Sequence, residues 1–285
     1  MATDISTAVL ITGCSTGIGR ATALRLAAAG HSVFATARRT ESIADLAGAG
    51  CTVLACDVTD EASMCAAVAA VEKSAGAVGA LVNNAGYGSE GPVEEVPMAE
   101  VRRQFETNVF GLARMCQLVL PGMRRQGFGR IVNISSMGGR MTLPGGGFYH
   151  ATKYAVEALS DALRFEVRGF GVGVVVIEPG AIKTEFGSTA IDKVEASARG
   201  DSPYARFREV LKEQIRGAYE GPLGRFAGTP DDVAKVIQQA ITAKRPRTRY
   251  LVTAGARVFV TARRVLGDRG FDAMMRTQFP TPGID

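Results

Sequence analysis

The chain alternates between short apolar runs and longer stretches in which apolar residues recur at helical spacing. Short apolar runs bounded by turn residues are typical of strands that are buried on both faces. Seven such runs predict seven strands, at residues 8–12, 32–37, 51–55, 80–82, 131–134, 172–178 and 248–252. Because helical stretches separate the runs, the pattern predicts an α/β fold with a parallel sheet and helices on both faces.

Two helical patterns are long, at about residues 97–125 and 149–168, and a third begins where Thr229 precedes Pro230 and two acids. Residues 192–228 interrupt the alternation, because they are polar and contain Gly221-Pro222. We predict an irregular, mobile lid over a substrate at about residues 185–228. The tail, residues 253–285, is rich in Met, Phe and Arg and is expected to become ordered around the same substrate. No linker is visible, so we predict one domain over residues 1–285.

Composition narrows the class of protein. The chain has 285 residues, 46% apolar, and a formal net charge of +5 without a long basic run, which argues against a nucleic-acid partner. Five cysteines without a CxxC pair and only two histidines argue against a disulfide framework and a metal site. No signal segment is visible, and we expect a cytoplasmic protein. Shallow membrane contact of the tail, which mixes arginines with apolar residues, is the less favoured alternative.

A glycine-rich turn joins the first strand to the first helix. It contains Gly13, Ser15, Thr16, Gly17, Ile18 and Gly19. Glycines allow the backbone to approach a pyrophosphate, and the amides at a helix N-terminus attract its charge. The turn therefore predicts a dinucleotide site, although an ordinary tight turn between strand and helix has the same composition.

The end of the second strand bears on which dinucleotide binds. An acidic residue there would bind the ribose hydroxyls of NAD, but Ala37 is followed by Arg38 instead. A guanidinium pairs with the 2′-phosphate of NADP, so we predict NADP(H) rather than NAD(H). The alternative is a solvated arginine at a helix start. Further residues expected to contact the cofactor follow the third and fourth strands: Asp57, Val58, Asn84, Ala85 and Gly86.

Candidate acid–base chemistry follows the fifth strand. Tyr149 and Lys153 are four residues apart and share one helix face, and Ser136 lies at the strand end. A neighbouring ammonium is expected to lower the pKa of the phenol. Asn108 lies inside an apolar helical pattern, either as a site residue that holds a water molecule or as a satisfied core amide. His150 is interpreted as a surface or interface residue.

Taken together, these motifs resemble the short-chain dehydrogenase/reductase superfamily, and in particular its 17β-hydroxysteroid and retinol dehydrogenases. The resemblance implies a doubly wound Rossmann fold and hydride transfer. By the same resemblance, Tyr149 would be the general acid/base, Lys153 would bind the nicotinamide ribose, Ser136 would orient the substrate oxygen and Asn108 would hold a relay water. The segment that would bind the nicotinamide carboxamide contains Pro179, Gly180, Ile182 and Thr184.

The resemblance, together with these motifs, implies a function. We expect an NADP(H)-dependent enzyme that interconverts a carbonyl and a secondary alcohol on a steroid-, retinoid- or fatty-like substrate. Apolar candidates for the substrate wall are Tyr87, Met137, Met141, Leu143, Phe148 and Phe186. The alternative is a catalytically silent NADP(H)-binding sensor or scaffold on the same fold. The family resemblance further implies a homodimer or homotetramer built through the two long helices.

Overall fold

The structure, a computed structural model, describes residues 5–196, 202–219, 224 and 227–284. Its centre is a sheet of seven parallel strands in the order β3-β2-β1-β4-β5-β6-β7. The strands are β1 (Val9–Ile11), β2 (Val33–Ala37), β3 (Cys51–Ala55), β4 (Ala80–Asn83), β5 (Gly129–Ile134), β6 (Val172–Pro179) and β7 (Arg249–Val252). The strand order reverses between β1 and β4, which opens a crevice at their carboxyl ends. The predicted doubly wound Rossmann fold is confirmed.

Helices cover both faces of the sheet. They are α1 (Gly17–Ala28), α2 (Glu61–Ala75), α3 (Met98–Phe105), α4 (Leu112–Gln126), α5 (Gly147–Val167), α6 (Phe186–Ala196), α7 (Ala205–Tyr219), α8 (Pro230–Thr242) and α9 (Ala254–Arg276). Successive residues of a strand point to opposite faces, so Val9 packs in the core beneath α1 and α8, whereas Leu10 packs beneath α2, α4 and α5. The predicted start of α8 is confirmed, because Thr229 and Asp232 form a capping box.

Two predicted elements differ from the structure. The helical pattern at residues 97–125 is divided into α3 and α4 by a π-helical segment, Glu106–Gly111, which contains Asn108. The insertion predicted to be irregular contains α6 and α7, while residues 197–201, 220–223 and 225–226 lie outside the described part. Phe207 and Leu211 are one turn apart on α7 and are both buried, so an apolar stripe explains why this polar segment is helical.

A third apolar cluster, here called the cap cluster, lies apart from the two faces of the sheet. It joins the loop after β5 to α6, α7 and α9, and its buried members are Met141, Val194, Phe207, Leu211, Phe271, Met275 and Phe279. The rings of Phe207 and Phe279 lie 6.0 Å apart. The C-terminal helix therefore packs on the insertion and on the loop that follows β5. Among the described helices, none is long and apolar enough to cross a membrane.

Candidate active site

The glycine-rich turn is fastened to the loop that follows β4. The Thr12 hydroxyl accepts hydrogen bonds from the backbone amides of Asn84 (3.1 Å) and Ala85 (3.0 Å). The Asn84 side chain donates to the carbonyls of Thr12 and Gly13, at 2.9 Å each. Gly13 has φ 73°, and a Cβ there would lie 2.8 Å from the Ala85 Cα. Close packing between the two loops thus explains the glycine, and Asn84 uses its amide to hold the turn.

The start of α1 is left open to a ligand. Ser15 and Thr16 are exposed, and Thr16 occupies the N-cap position without making a side-chain cap hydrogen bond. Gly17 begins the helix with φ 57°, and a Cβ on Gly19 would overlap the Gly13 carbonyl. Free amides and two hydroxyls at the N-terminus of a twelve-residue helix form a suitable cradle for a pyrophosphate.

The ends of β2 and β3 add charge to the same edge of the sheet. Arg38 is exposed and makes no hydrogen bond or ion pair with any described residue. One oxygen of Asp57 accepts from the Thr59 amide (2.9 Å) and hydroxyl (2.8 Å). Val58 is buried against Gly111, where a Cβ would overlap the Val58 carbonyl. The unpaired guanidinium of Arg38, which is able to bind an anion, therefore lies at the same edge of the sheet as the rigid turn at Asp57.

Tyr149, Lys153 and Ser136 come together below the carboxyl end of β5. The Lys153 ammonium lies 5.8 Å from the centre of the Tyr149 ring and donates to the Ile134 carbonyl at 2.9 Å. The Ser136 hydroxyl accepts a hydrogen bond from the Gly138 amide at 3.0 Å and lies close enough to the Tyr149 phenol to affect its pKa. The end of β5 positions Ser136, and one turn of α5 positions Tyr149 and Lys153.

Burial controls the protonation of this cluster. It raises the pKa of Tyr149 above its ordinary value, while the hydrogen bond with Ser136 acts in the opposite direction. Burial also lowers the pKa of Lys153 to about 8, partly opposed by the charge of Glu157. The expectation that the pKa of Tyr149 is lowered is therefore wrong for this structure, because loss of solvation is the largest influence on the phenol and raises its pKa. At neutral pH, Tyr149 is a neutral phenol able to donate its proton.

Asn108 connects three parts of the site. Its amide nitrogen donates to the Tyr87 carbonyl (2.9 Å) and to the Thr152 hydroxyl (3.2 Å), and its oxygen accepts from the Tyr87 amide (3.1 Å). A Cβ on Gly86 would lie 3.0 Å from the Asn108 oxygen and 3.7 Å from the Lys153 ammonium. The π-helical segment inserts an extra residue into the turn, a feature frequent at functional sites. The extra residue brings the Asn108 side chain into contact with Tyr87 and Thr152.

The loop after β6 closes the crevice from the other side. Gly180 donates to the Val252 carbonyl at 3.0 Å and directly follows Pro179. Ile182 pairs with Gly228, and the Thr184 hydroxyl accepts from the Phe186 amide at 3.2 Å. The Thr184 methyl lies 3.1 Å from the position that a Cβ on Gly17 would occupy. The segment expected to bind the nicotinamide thus reaches across the start of α1.

A family model described as short chain dehydrogenase matches residues 7–195. The chain belongs to the short-chain dehydrogenase/reductase family. A 3-ketodihydrosphingosine reductase of Bacteroides thetaiotaomicron is 42% identical over 220 residues, which cover 76% of this chain and 80% of the relative. The estradiol 17-beta-dehydrogenase 1 of Rattus norvegicus is 38% identical over 262 residues, which cover 87% of this chain and 74% of the relative.

Solved structures support the same family. A short-chain dehydrogenase from Streptomyces avermitilis is 33% identical with a TM-score of 0.79, and 96% of each chain is covered. A serine dehydrogenase complexed with NADP+ is 28% identical with a TM-score of 0.75, and the match covers 87% of this chain and 95% of that one. A short chain dehydrogenase/reductase from Burkholderia phymatum in complex with NAD is 27% identical with a TM-score of 0.76, and the match covers 100% of this chain and 99% of that one. The family binds nicotinamide cofactors. The open start of α1 and the free Arg38 guanidinium fit such a dinucleotide, so these residues would hold its phosphates.

The wall around Tyr149 contains residues that sequence reasoning misplaced or missed. The Phe186 ring packs 5.3 Å from the Tyr149 ring, as expected of a wall residue. His150 is buried, so its placement at the surface was wrong. Its Nδ1 accepts from the Leu143 amide at 3.0 Å, and burial lowers its pKa to about 4. Glu90 and Tyr219 were missed, because an acid in a loop and a tyrosine in a polar segment have no distinctive spacing.

His150 should make the fold sensitive to acid. Its pKa is about 4 when folded and 6.5 when unfolded, so the unfolded chain binds the proton more tightly between these values. We expect this residue to reduce the free energy of unfolding by about 3 kcal/mol as the pH falls from 7 to 4. Denaturant unfolding of wild type and His150→Gln isolates this loss, because other titrating groups cancel in the comparison. His31→Gln is the matched control, and an equal acid response of wild type and His150→Gln would refute the assignment.

Proposed function

We propose that this protein is an NADP(H)-dependent oxidoreductase that interconverts a carbonyl and a secondary alcohol on a lipophilic substrate. The observation that carries the proposal is the convergence of Ser136, Tyr149 and Lys153, with Asn108 bonded next to them. A silent nucleotide sensor would not need a buried phenol beside a serine hydroxyl and an ammonium group. We further propose one catalytic domain, in which residues 185–228 and the tail cover the substrate.

The chemistry of the chain is acid–base catalysis at one oxygen atom. The nicotinamide, when bound, supplies or accepts the hydride. In the reducing direction Tyr149 donates its phenolic proton to the oxygen that gains negative charge, and the Ser136 hydroxyl holds that oxygen. Lys153, next to Asn108, then returns a proton to Tyr149 through a water molecule. In the oxidising direction these proton transfers are reversed.

Arg38 supports the choice of NADP(H). Its guanidinium stands unpaired at the end of β2, where an acid would favour NAD. Arg38→Ala should weaken NADP(H) binding about ten- to hundredfold and leave NAD(H) binding unchanged, since one charge-assisted pair to phosphate is lost. Titration of both cofactors into wild type and variant measures this. Arg39→Ala is the matched control, because Arg39 is the exposed neighbour, and equal wild-type affinities for the two cofactors would contradict the proposal.

The cap cluster supports a lipophilic substrate. Met137, Met141 and Leu143 follow the candidate catalytic serine and pack in the cap cluster with α7 and α9. The relatives named for ketodihydrosphingosine and estradiol agree with an apolar substrate for this chain too. The test is an NADPH-oxidation screen over ketones and aldehydes of increasing length. Cofactor binding without turnover of any compound would favour the sensor.

We also propose a homodimer or homotetramer formed through α4 and α5. Phe165 on α5 is 86% exposed, and Tyr154 and Leu159 on the same helix are exposed as well. Apolar side chains on a solvent-facing helix favour association with a second copy. A monomer in sedimentation at micromolar concentration would refute this proposal.

A further inference from the structure

The loop after β4 brings one carboxylate to the wall of the substrate space. A Cβ on Gly88 would lie 2.5 Å from the Phe186 ring, which packs against Tyr149. Three residues further on, the Gly91 amide donates to the Gly145 carbonyl at 2.7 Å, in the loop that leads into α5. Glu90 lies along the chain between Gly88 and Gly91, the two residues that make these contacts. Burial is the main cause that raises the pKa of Tyr149 and Tyr219, and the charge of Glu90 adds to it, so the carboxylate lies in the surroundings of both phenols.

Glu90 differs from the other carboxylates of its segment. Glu94 accepts from the Tyr204 hydroxyl at 2.7 Å, Glu95 pairs with Arg208 at 2.5 Å and Glu100 pairs with Lys193 at 3.0 Å. Glu90 forms no hydrogen bond or ion pair with any described residue. It is partly buried, and burial raises its pKa to about 7. Structural carboxylates in this segment are paired, so the unpaired one points to a ligand.

The ligand chemistry follows from this carboxylate. A carboxylate removed from water without a partner is destabilising, and a cation brought by the ligand offsets that cost. The ammonium group of α5, on Lys153, is already bonded to the Ile134 carbonyl. A ligand that is anionic close to the reacting carbon would be repelled by Glu90. The rest of the wall is aromatic and apolar, through Phe186 and the cap cluster.

We propose that the substrate is a lipophilic amino ketone or amino alcohol whose ammonium group pairs with Glu90 while its hydrocarbon chain lies against the cap cluster. This inference rests on the proposed function and adds the substrate class to it. The amine takes no part in the reaction: the carbonyl carbon gains a hydride, its oxygen gains a proton from Tyr149, and the ammonium is unchanged. Glu90 is thus a specificity-determining residue.

Two matched alcohols test the proposal. 2-Aminododecan-3-ol carries an ammonium beside the carbinol, and 2-methyldodecan-3-ol has a methyl group in its place. Affinity is measured by calorimetry with the oxidised cofactor bound, and oxidation by the initial rate of reduced-cofactor formation, at about pH 8, where amine and carboxylate are both ionised. In the wild type we expect the amino alcohol to bind about 10- to 100-fold more tightly, with a similar ratio in kcat/KM.

Variants assign the preference to one side chain. Glu90→Gln keeps the shape of the side chain and should abolish the preference, while oxidation of the methyl compound continues. Glu90→Asp should restore part of the preference. Glu94→Gln is the matched control, because it removes the same charge from an exposed position in the same loop, and it should behave as wild type. Thermal unfolding and cofactor titration establish that each variant is folded.

The outcomes separate this inference from the proposed function. Equal wild-type affinity for the two alcohols, absence of binding by either, or a preference that survives Glu90→Gln would each overturn the inference. Oxidation of both alcohols with equal kcat/KM would do so while leaving the proposed oxidoreductase intact. Glu90-dependent binding of the amino alcohol without oxidation would instead sustain the ammonium site and count against the oxidoreductase.

Discussion

Tyr149→Phe is expected to reduce turnover by about 10² to 10⁴, the usual contribution of a positioned general acid. The substitution removes one oxygen and keeps the ring, which packs against Phe186 at 5.3 Å and His150 at 5.6 Å. Burial keeps the phenol protonated, so the lost group is the proton donor itself. Affinity for the cofactor should be retained, because Lys153 and the start of α1 are untouched.

Steady-state kinetics and cofactor titration of wild type and Tyr149→Phe measure the two effects separately. Tyr154→Phe is the matched control, since Tyr154 lies on the same helix with its side chain exposed on the surface proposed to contact a second copy, away from the candidate active site. It makes the same chemical change outside the site and should leave turnover unchanged. If Tyr149→Phe retains more than about a tenth of wild-type turnover, Tyr149 is not the general acid. If turnover and the free energy of unfolding fall together, the tyrosine has a packing role.

The sequence alone was sufficient to predict the sheet and the convergence of Ser136, Tyr149 and Lys153. Strands buried on both faces produce apolar runs that can be recognised without a partner, and all seven lie where these runs predict. Residues at the carboxyl ends of parallel strands meet at one edge, so order along the chain predicts proximity in space. Asn108 was recognised as an amide in an apolar helix. The π-helical segment that orients it depends on packing and was not predicted.

Other features depend on contacts that a sequence does not contain. The pKa of Tyr149 is decided by the balance between burial and neighbouring charge, and the sequence showed only the charge. His150 is buried because the loop around Leu143 folds over it. The helices of the insertion appear polar until α9 is packed on them, which shows Phe207 and Leu211 to be core residues. Glu90 stands out only once its neighbours in the loop are seen to be paired.

Removing the charge of Arg208 is expected to destabilise the insertion strongly. Arg208 on α7 pairs with Glu95 at 2.5 Å, and both side chains are buried, with exposures of 8% and 4%. Ser202 also donates to Glu95, so the carboxylate keeps that hydrogen bond but loses its ion pair with Arg208. Loss of one partner from a buried ion pair typically costs about 3–5 kcal/mol. Arg208→Met, which preserves most of the volume, should therefore lower the free energy of opening of α7 by about that amount.

Hydrogen exchange resolves where this loss occurs. Because α7 belongs to the cap cluster and lies outside the two cores that enclose the sheet, exchange should accelerate in α6, α7 and α9 while the strands keep their protection. The Michaelis constant of a lipophilic substrate should rise, because the cap cluster that would hold its chain is open more often. Arg216→Met is the matched control, an exposed arginine on the same helix. Unchanged exchange in Arg208→Met would show that the ion pair contributes little to holding α7 in place, and uniform acceleration across the sheet would show that the insertion and the core unfold as one unit.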